Sequence, residues 1–454
     1  MPQNFITRQL SRLPGRVLKN ATSLYAVQFA QYALPFISVP YLARVIKPDA
    51  WGLILMCQSF GVWLSYISEY GFGFSATRGI ARVRDDSQAI KRIVSNTLCA
   101  SGLLSCVTLV IAFGATLFVP TFRDKPGYLW LAWAGAVLQG CTPLWYFQGI
   151  EKMTTPAIIT LGTRAAGLVA ILLFVRTPAD AWKVLAIYAV TALIGLIWCL
   201  ILVERWIGLQ LPEPGGSLRT LREGWHMFVV RSAASIFTTA NAFILGIFAP
   251  AKEVAFYGGA ERLPSALLTL LTPFTQAFYP YMSHLMRDSY QNARRLAIFM
   301  LMGVMGASFV ACGVLQVFAP WVIWLLYGGA YAPAVPVLRV LSLIIPALAL
   351  QNVLGVQWML PKGLDVEFTR IVIAGTFIDV VLAIALTPHY GAIGMSIAVT
   401  TSNIVVSSLI LLICASERGG YFERPASGGL RAAALGLARR LWAWRVVPSP
   451  VDNE

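Results

Sequence analysis

Apolar residues occur in this chain as long blocks, and twelve of them are of membrane-spanning length: Ala21–Leu42, Trp51–Phe74, Ile93–Val119, Tyr128–Phe147, Pro156–Val175, Val184–Val203, Trp225–Ala249, Ala260–Ser283, Leu296–Phe318, Val337–Leu360, Ile371–Thr387 and Gly391–Cys414. A bilayer core takes about 20 apolar residues to cross as a helix. Only short loops join the blocks. The pattern predicts an all-α integral membrane protein of twelve transmembrane helices, whose function is carried out in or across a bilayer.

The loops alternate in charge. One set is basic: Arg8, Arg12, Arg16 and Lys19, then Arg78, Arg82, Arg84, Lys91 and Arg92, then Arg205, Arg219 and Arg222, then Arg287, Arg294 and Arg295, and a tail running from Arg418 to Arg445. The other set holds little beyond Arg44, Lys47, Arg123, Lys125, Arg176, Lys183 and Lys252. Under the positive-inside rule this bias puts both termini in the cytoplasm. The net charge of +15 is therefore topological, and nucleic acid drops out as a partner. With 57% hydrophobic and 12% charged residues in 454, no room is left for a conventional soluble domain. No cleavable signal peptide is visible, and residues 1–20 and 415–454 read as basic, partly amphipathic cytoplasmic segments. The seven cysteines all fall in apolar blocks without paired spacing, so they read as small core residues.

The chain also repeats itself. Arg84-Asp85-Asp86-Ser87-Gln88-Ala89-Ile90-Lys91-Arg92-Ile93 follows the second block, and Arg287-Asp288-Ser289-Tyr290-Gln291-Asn292-Ala293-Arg294-Arg295-Leu296 follows the eighth. A second echo pairs Pro48-Asp49-Ala50-Trp51-Gly52 with the stretch from Pro250 to Gly258. Both have the same offset of six blocks, which predicts two six-helix lobes, 21–203 and 225–414, joined by a cytoplasmic linker at 204–224. Six is even, so the repeats are parallel, with a central cavity as the natural substrate path. Prolines such as Pro35, Pro143, Pro264 and Pro346 mark places where helices could kink.

Ionisable groups at membrane depth cost at least about 2.5–3.5 kcal/mol each and normally face a cavity or a partner. Arg164 and Arg231 are the deepest arginines, and Arg262 and Arg339 lie nearer the outer ends of their spans. These four are the candidates for a cationic lumen, though Arg262 and Arg339 read equally well as snorkelling side chains. More buried arginine than acid favours an anionic cargo, because the guanidinium fork suits phosphate oxygens. Glu69 and Asp379 are candidates for ion coupling, with a structural ion pair or a helix-packing contact as the alternative readings. His226, His284 and His389 sit at block boundaries and read as interfacial. There is no Gly-Lys dipeptide for a phosphate-binding loop, no His-Glu-x-x-His or paired-Cys pattern for a metal, and no outer loop large enough for a catalytic domain. The chain reads as a non-enzyme without a cofactor.

Five segments resemble one family. Ala43-Arg44-Val45-Ile46-Lys47-Pro48-Asp49-Ala50-Trp51-Gly52 looks like the first outer loop of polysaccharide flippases, with Lys47 in place of the usual Gly. Glu69-Tyr70-Gly71-Phe72-Gly73-Phe74-Ser75-Ala76-Thr77-Arg78 is similar to the acidic-Tyr-Gly-Phe-Asn segment there, with Gly73 replacing the Asn. Trp145-Tyr146-Phe147-Gln148-Gly149-Ile150-Glu151-Lys152-Met153 matches a Trp-x-x-Gln-Gly-x-Glu-Lys-Met element. Gln276-Ala277-Phe278-Tyr279-Pro280 and Pro388-His389-Tyr390-Gly391-Ala392-Ile393-Gly394 match two later segments. In order and topology the chain resembles Wzx-type O-antigen and exopolysaccharide flippases of the multidrug/oligosaccharidyl-lipid/polysaccharide exporter superfamily.

That resemblance implies movement of an undecaprenyl-pyrophosphate-linked oligosaccharide between the leaflets of a bacterial inner membrane by alternating access. The lipid bilayer and the polymerase and chain-length machinery of the same pathway are the implied partners. Arg78, Gln148 and Glu151, at the cytoplasmic mouth, become candidates to touch the headgroup. A cation-coupled drug exporter of the same superfamily and a membrane glycosyltransferase or polymerase are the competing readings. The first would favour acids in the N-terminal lobe, and the second would need a large outer loop.

Overall fold

The computed structural model describes residues 34–225, 228, 240–269 and 272–416, and of 272–277 and 280 only the backbone. The expected amphipathic N-terminus, nearly all of the basic tail, the start of the first span, His226 and Arg231 lie outside the described residues. Every regular element among the described residues is helical. Seven helices are long and apolar enough to cross a membrane, and the described part of a further apolar helix covers Leu34–Ile46. The long helices expose Phe118 (86%), Phe299 (71%) and Phe377 (71%), with many aliphatic neighbours. A water-soluble surface does not carry apolar belts of that extent, whereas lipid chains solvate them. The chain is a multi-pass membrane protein.

Two compact units emerge. The first holds residues up to Leu263 together with Phe318–Leu338 and Val380–Ile397; the second holds Pro264–Val317, Arg339–Asp379 and the residues from Ala398 onward.

In the first unit, α1 (Leu34–Ile46) is followed by α2 (Pro48–Glu69). Pro48 starts α2 because its fixed φ suits a helix entry and its missing N–H is one the helix would leave unbonded. The helix ends where Tyr70 and Gly71 adopt left-handed backbone (φ 49° and 73°). A short α3 (Phe72–Arg82) resumes, and Asp86 then caps α4 (Ser87–Phe118) by accepting from the N–H of Gln88 and Ala89 at 2.9 and 3.0 Å. At 1.5 Å per residue α4 is about 48 Å long, more than a hydrocarbon core of about 30 Å. The span expected at Ile93–Val119 therefore begins in polar sequence, because the cap places its start.

Helices α5 (Pro120–Asp124) and α6 (Pro126–Gly140) follow, and then the chain breaks at Cys141–Pro143 before a short α7 (Leu144–Gly149). Proline 143 cannot continue a helix ladder, so the fourth expected span is two pieces. Helices α8 (Thr154–Phe174) and α9 (Ala181–Ile207) complete this half. A capping box, Thr177 with Asp180, turns the chain between them.

The connection after α9 is more ordered than its Pro-Glu-Pro-Gly-Gly character suggests. It docks on α4: the N–H of Gln210 donates to Ser95 Oγ at 3.2 Å, and that of Glu213 donates to Asn96 Oδ1 at 2.9 Å. Arg92 pairs with Glu213 at 3.7 Å, and residues 216–225 are helical.

Elements α10 (Asn241–Phe248) and α11 (Ala251–Thr269) pack on α2 at the end of the bundle with few charges. There the Phe60 and Phe243 rings meet at 4.8 Å with their planes tilted by 32°, and Arg262 lies 5.7 Å over the Trp51 ring. Arg44 donates to the carbonyls of Leu325 and Leu326, near the end of α13 (Tyr290–Tyr327), tying distant parts of the sequence together.

In the second unit, α12 (Thr272–Asp288) and α13 bury Met282, Ala293 and Ala297 against Leu354, Trp358 and Ile410. After α14 (Ala334–Ser342) and α15 (Ile344–Leu350), residues Gln351–Met359 form a π-helix. Gln351 there donates to Asn403 and Ser407 on α16 (Asp365–Ala415). Helix α16 contains both last expected spans. They meet at Gly391, whose φ of 54° breaks the helix, and the freed N–H of Ala392 donates to Glu253 at 3.0 Å.

Candidate functional site

A cavity of about 670 Å³ opens within the first unit among α1, α2, α6, α7, α8 and α9. Four glycines on its wall permit close helix approach: Gly61 of α2 against Ala132 of α6, Gly135 of α6 against Ala189 of α9, and Gly167 and Gly195 between α8 and α9. Gly167 sits 3.4 Å from the Thr191 methyl by the position of a Cβ built on it.

Arg164 lies at the middle of α8 and is the sole charged residue lining this cavity among the described residues. Among the described residues no carboxylate forms an ion pair with it. Its electrostatic neighbour is Tyr188, on α9, which also feels Arg262 and hydrogen-bonds with Gln58. The remaining polar lining is neutral and includes Gln139, Gln148, Thr142, Thr163 and Thr191. A guanidinium, with its five N–H donors, thus lines a space walled largely by apolar helices. A group of that kind attracts anionic oxygen and repels cations.

The other expected site residues separate into different surroundings. Arg262 stacks on Trp51 and, through Tyr188, belongs to the same electrostatic neighbourhood as Arg164. Arg339 is exposed in the second unit and exchanges hydrogen bonds with Gln316: its Nε donates to Gln316 O at 3.2 Å, and Gln316 Nε2 donates to Arg339 O at 2.7 Å. Gln148 lines the cavity, whereas Arg78 is exposed on α3. Glu151 adopts φ 58° and pairs with Arg84 at 3.1 Å on the surface. Glu69 is the last residue of α2 and is half-buried. Asp379 is 1% exposed in the second unit and accepts from Ser402 Oγ at 3.3 Å. Arg231 lies outside the described residues.

Sequence reasoning passed over Gln58 and Gln139, which carry no charge and match no motif. Neutral amides at membrane depth were the available signal. It also treated the cysteines as one class; Cys57, Cys199, Cys312 and Cys414 are buried, but Cys106 is exposed on its helix. No group of three or more potential metal ligands occurs among the described residues.

Comparison with known proteins decides the family. The model of the family described as "Polysaccharide biosynthesis protein" matches residues 17–286. The chain belongs to this family. Two curated relatives carry the name "Putative O-antigen transporter". That of Escherichia coli (strain K12) is 29% identical over 404 residues, covering 88% of this chain and 97% of the relative. That of Shigella dysenteriae is 26% identical over 398 residues, covering 87% and 98%. Among solved structures, the lipid II flippase MurJ in an inward closed conformation aligns with a TM-score of 0.63 at 10% identity, covering 95% of this chain and 94% of that one. An inward-facing multidrug resistance transporter of the MATE family, in the MOP superfamily, aligns with a TM-score of 0.61 at 17% identity, covering 88% and 98%. At such identities the structures establish a shared fold. This polysaccharide-family protein is a membrane protein whose named relatives are transporters, and it is not an enzyme.

Proposed function

We propose that this family member is a flippase that carries an undecaprenyl-pyrophosphate-linked oligosaccharide from the cytoplasmic to the periplasmic leaflet of the bacterial inner membrane, for O-antigen or exopolysaccharide assembly. The observation that carries the reading is Arg164, the sole charged residue lining the cavity among the described residues. A pyrophosphate entering an apolar bundle must exchange its hydration for fixed donors, and a guanidinium supplies them without needing a proton. Arg262 adds charge nearby, and Arg231 is the matching candidate in the C-terminal lobe. The family and the names of the two relatives supply the glycan side of the reading.

The positive-inside bias puts the basic loops and both termini in the cytoplasm. On that assignment the end tied by Arg44, Phe60–Phe243 and Trp51–Arg262 is periplasmic, and these contacts support a state shut on that side. Two six-helix lobes, 21–203 and 225–414, would rock to expose the cargo alternately. Asp379 and Glu69 are the candidates for coupling that motion to a proton or sodium gradient. A cation-coupled drug exporter fits less well, because a cationic drug would meet Arg164 with no carboxylate beside it.

Arg164→Ala should abolish glycan export in cells while membrane abundance stays near wild type, and Arg164→Gln should be as damaging. Arg164→Lys should rescue partly, since an ammonium lacks the bidentate fork. Wild-type export from an Arg164→Ala, Arg231→Ala double variant contradicts the cationic-site reading.

A further inference from the structure

A second cavity, of about 350 Å³, lies between α3, the start of α4 and the linker helix at 216–225, and it shares no lining residue with the cavity around Arg164. Charges of both signs line it: Arg92 and Arg219 with Glu213 and Glu223. They neutralise one another poorly. Arg92 and Glu213 come only to 3.7 Å, beyond hydrogen-bond length. Arg219 and Glu223 form no ion pair among the described residues although one helical turn separates them, and arginine before glutamate is the weaker order for such a pair. Asn96 is buried and spends its side-chain oxygen on the N–H of Glu213, while its amide N–H groups make no hydrogen bond among the described residues. Gly216, in the first turn of the linker helix, also lines the space, and helix N–H groups at that end favour an anion.

Its place along the helices says what kind of molecule reaches it. Ile93, which also lines it, is the first residue of the apolar part of α4, so the cavity sits where that helix enters the bilayer core. On the linker helix Leu218 and Trp225 share one face with Arg222 between them, and they are 67% and 57% exposed. Apolar and basic side chains on one exposed face are the pattern of a helix lying in the headgroup layer. We infer that this cavity is a binding site for a zwitterionic phospholipid, phosphatidylethanolamine, of the leaflet on the basic side of the protein. Arg219, Arg92 and Asn96 take its phosphate, and Glu223 takes its ammonium. A headgroup with one charge of each sign answers a wall with both signs, whereas a purely anionic one would leave the two acids opposed. The volume is at the lower end of the range of about 300–1,000 Å³ usual for small-molecule sites, which suits a headgroup. The inference is independent of the flippase reading and of what Arg164 binds.

The test is native mass spectrometry of the full-length protein, stripped of lipid and titrated with phospholipids of identical acyl chains. The first phosphatidylethanolamine should bind about tenfold more tightly than the first phosphatidylcholine, whose quaternary ammonium has no N–H to donate, a difference of the size expected from one charge-assisted hydrogen bond. Phosphatidylglycerol, which has no ammonium, should also bind more weakly than phosphatidylethanolamine. Glu223→Gln should bring the ethanolamine-to-choline ratio close to one. Arg219→Gln should weaken both lipids in the same proportion and keep the ratio. Both side chains are exposed, so neither change removes a core contact. Glycerophosphoethanolamine, the same headgroup without acyl chains, should compete at least about tenfold less well than the lipid, because it forgoes the apolar contacts of the chains. Equal binding of the ethanolamine and choline lipids by the wild type, or a ratio that persists in Glu223→Gln, overturns the site. Tighter binding of phosphatidylglycerol than of phosphatidylethanolamine makes the region a plain cationic patch and overturns it as well. Competition by glycerophosphoethanolamine as strong as that of the lipid makes the ligand a soluble molecule and overturns the lipid assignment.

Discussion

Arginine positions that look equivalent in the sequence become different residues once their neighbours are fixed. Arg164 faces a cavity with no acid, Arg262 stacks on Trp51, and Arg339 trades hydrogen bonds with Gln316. Depth in an apolar block singles out Arg164, because a charge at that depth is costly unless it faces a cavity or a partner. It could not separate Arg262 from Arg339, since that depends on which helix faces each one. Gln58 and Gln139 escaped notice because a neutral amide at membrane depth is a weaker signal than a charge.

Asp180 gives a residue-scale prediction. Lys183, at 2.5 Å, then the Thr177 hydroxyl, then the backbone N–H groups of Arg176 and Thr177 hold its carboxyl well below the usual carboxylate range. A depressed carboxylate contributes stability that is fully present above its unfolded pKa of about 3.9 and is lost only as the pH falls through the lower folded value. Amide exchange at 177–184 should therefore be equally protected at pH 6 and pH 4.5, and Asp180→Asn should raise it at both. Deprotection of the wild type between those two values would contradict the cap.

At the scale of elements, block length and Pro/Gly punctuation carried most of the information. The break at Gly391 falls where the sequence divides the last two spans, and Pro143 marks the interruption after α6. Helix ends were harder to read. Helix α4 starts in polar sequence at its Asp86 cap, before the expected span, and α13 runs past the expected end at Phe318 through Pro320 and a further apolar stretch to Tyr327. The connection after α9 reads in the sequence as a linker, and its docking on α4 is not legible there. Its contacts depend on Ser95 and Asn96, more than a hundred residues earlier.

The sidedness of these elements yields a direct test. Reporters fused after Asp86 or Leu211 should read cytoplasmic, and those after Lys125 or Tyr331 periplasmic. A periplasmic signal at Leu211 would break the proposed parallel repeat, which needs an even number of crossings before the linker.

For the molecule as a whole, two independent lines meet. The family match and the names of the relatives support the proposed glycan transport, and the proposed anionic cargo is supported separately by Arg164, the sole charged residue lining the cavity among the described residues. The cavity is lined by helices long and apolar enough to cross a bilayer, and in such surroundings fixed donors count for more than in water.

The central claim is translocation itself, and the measurement closest to it is leaflet exchange of an undecaprenyl-pyrophosphate-linked oligosaccharide in liposomes containing the purified full-length protein. Accessibility of the glycan to an externally added membrane-impermeant glycosidase gives the readout. Wild-type protein should make glycan from the inner leaflet accessible well above the rate of protein-free liposomes, and Arg164→Ala, reconstituted to the same density, should fall to the protein-free rate. Wild-type liposomes that exchange no faster than empty ones, or an Arg164→Ala protein that exchanges as fast as the wild type, would contradict the account.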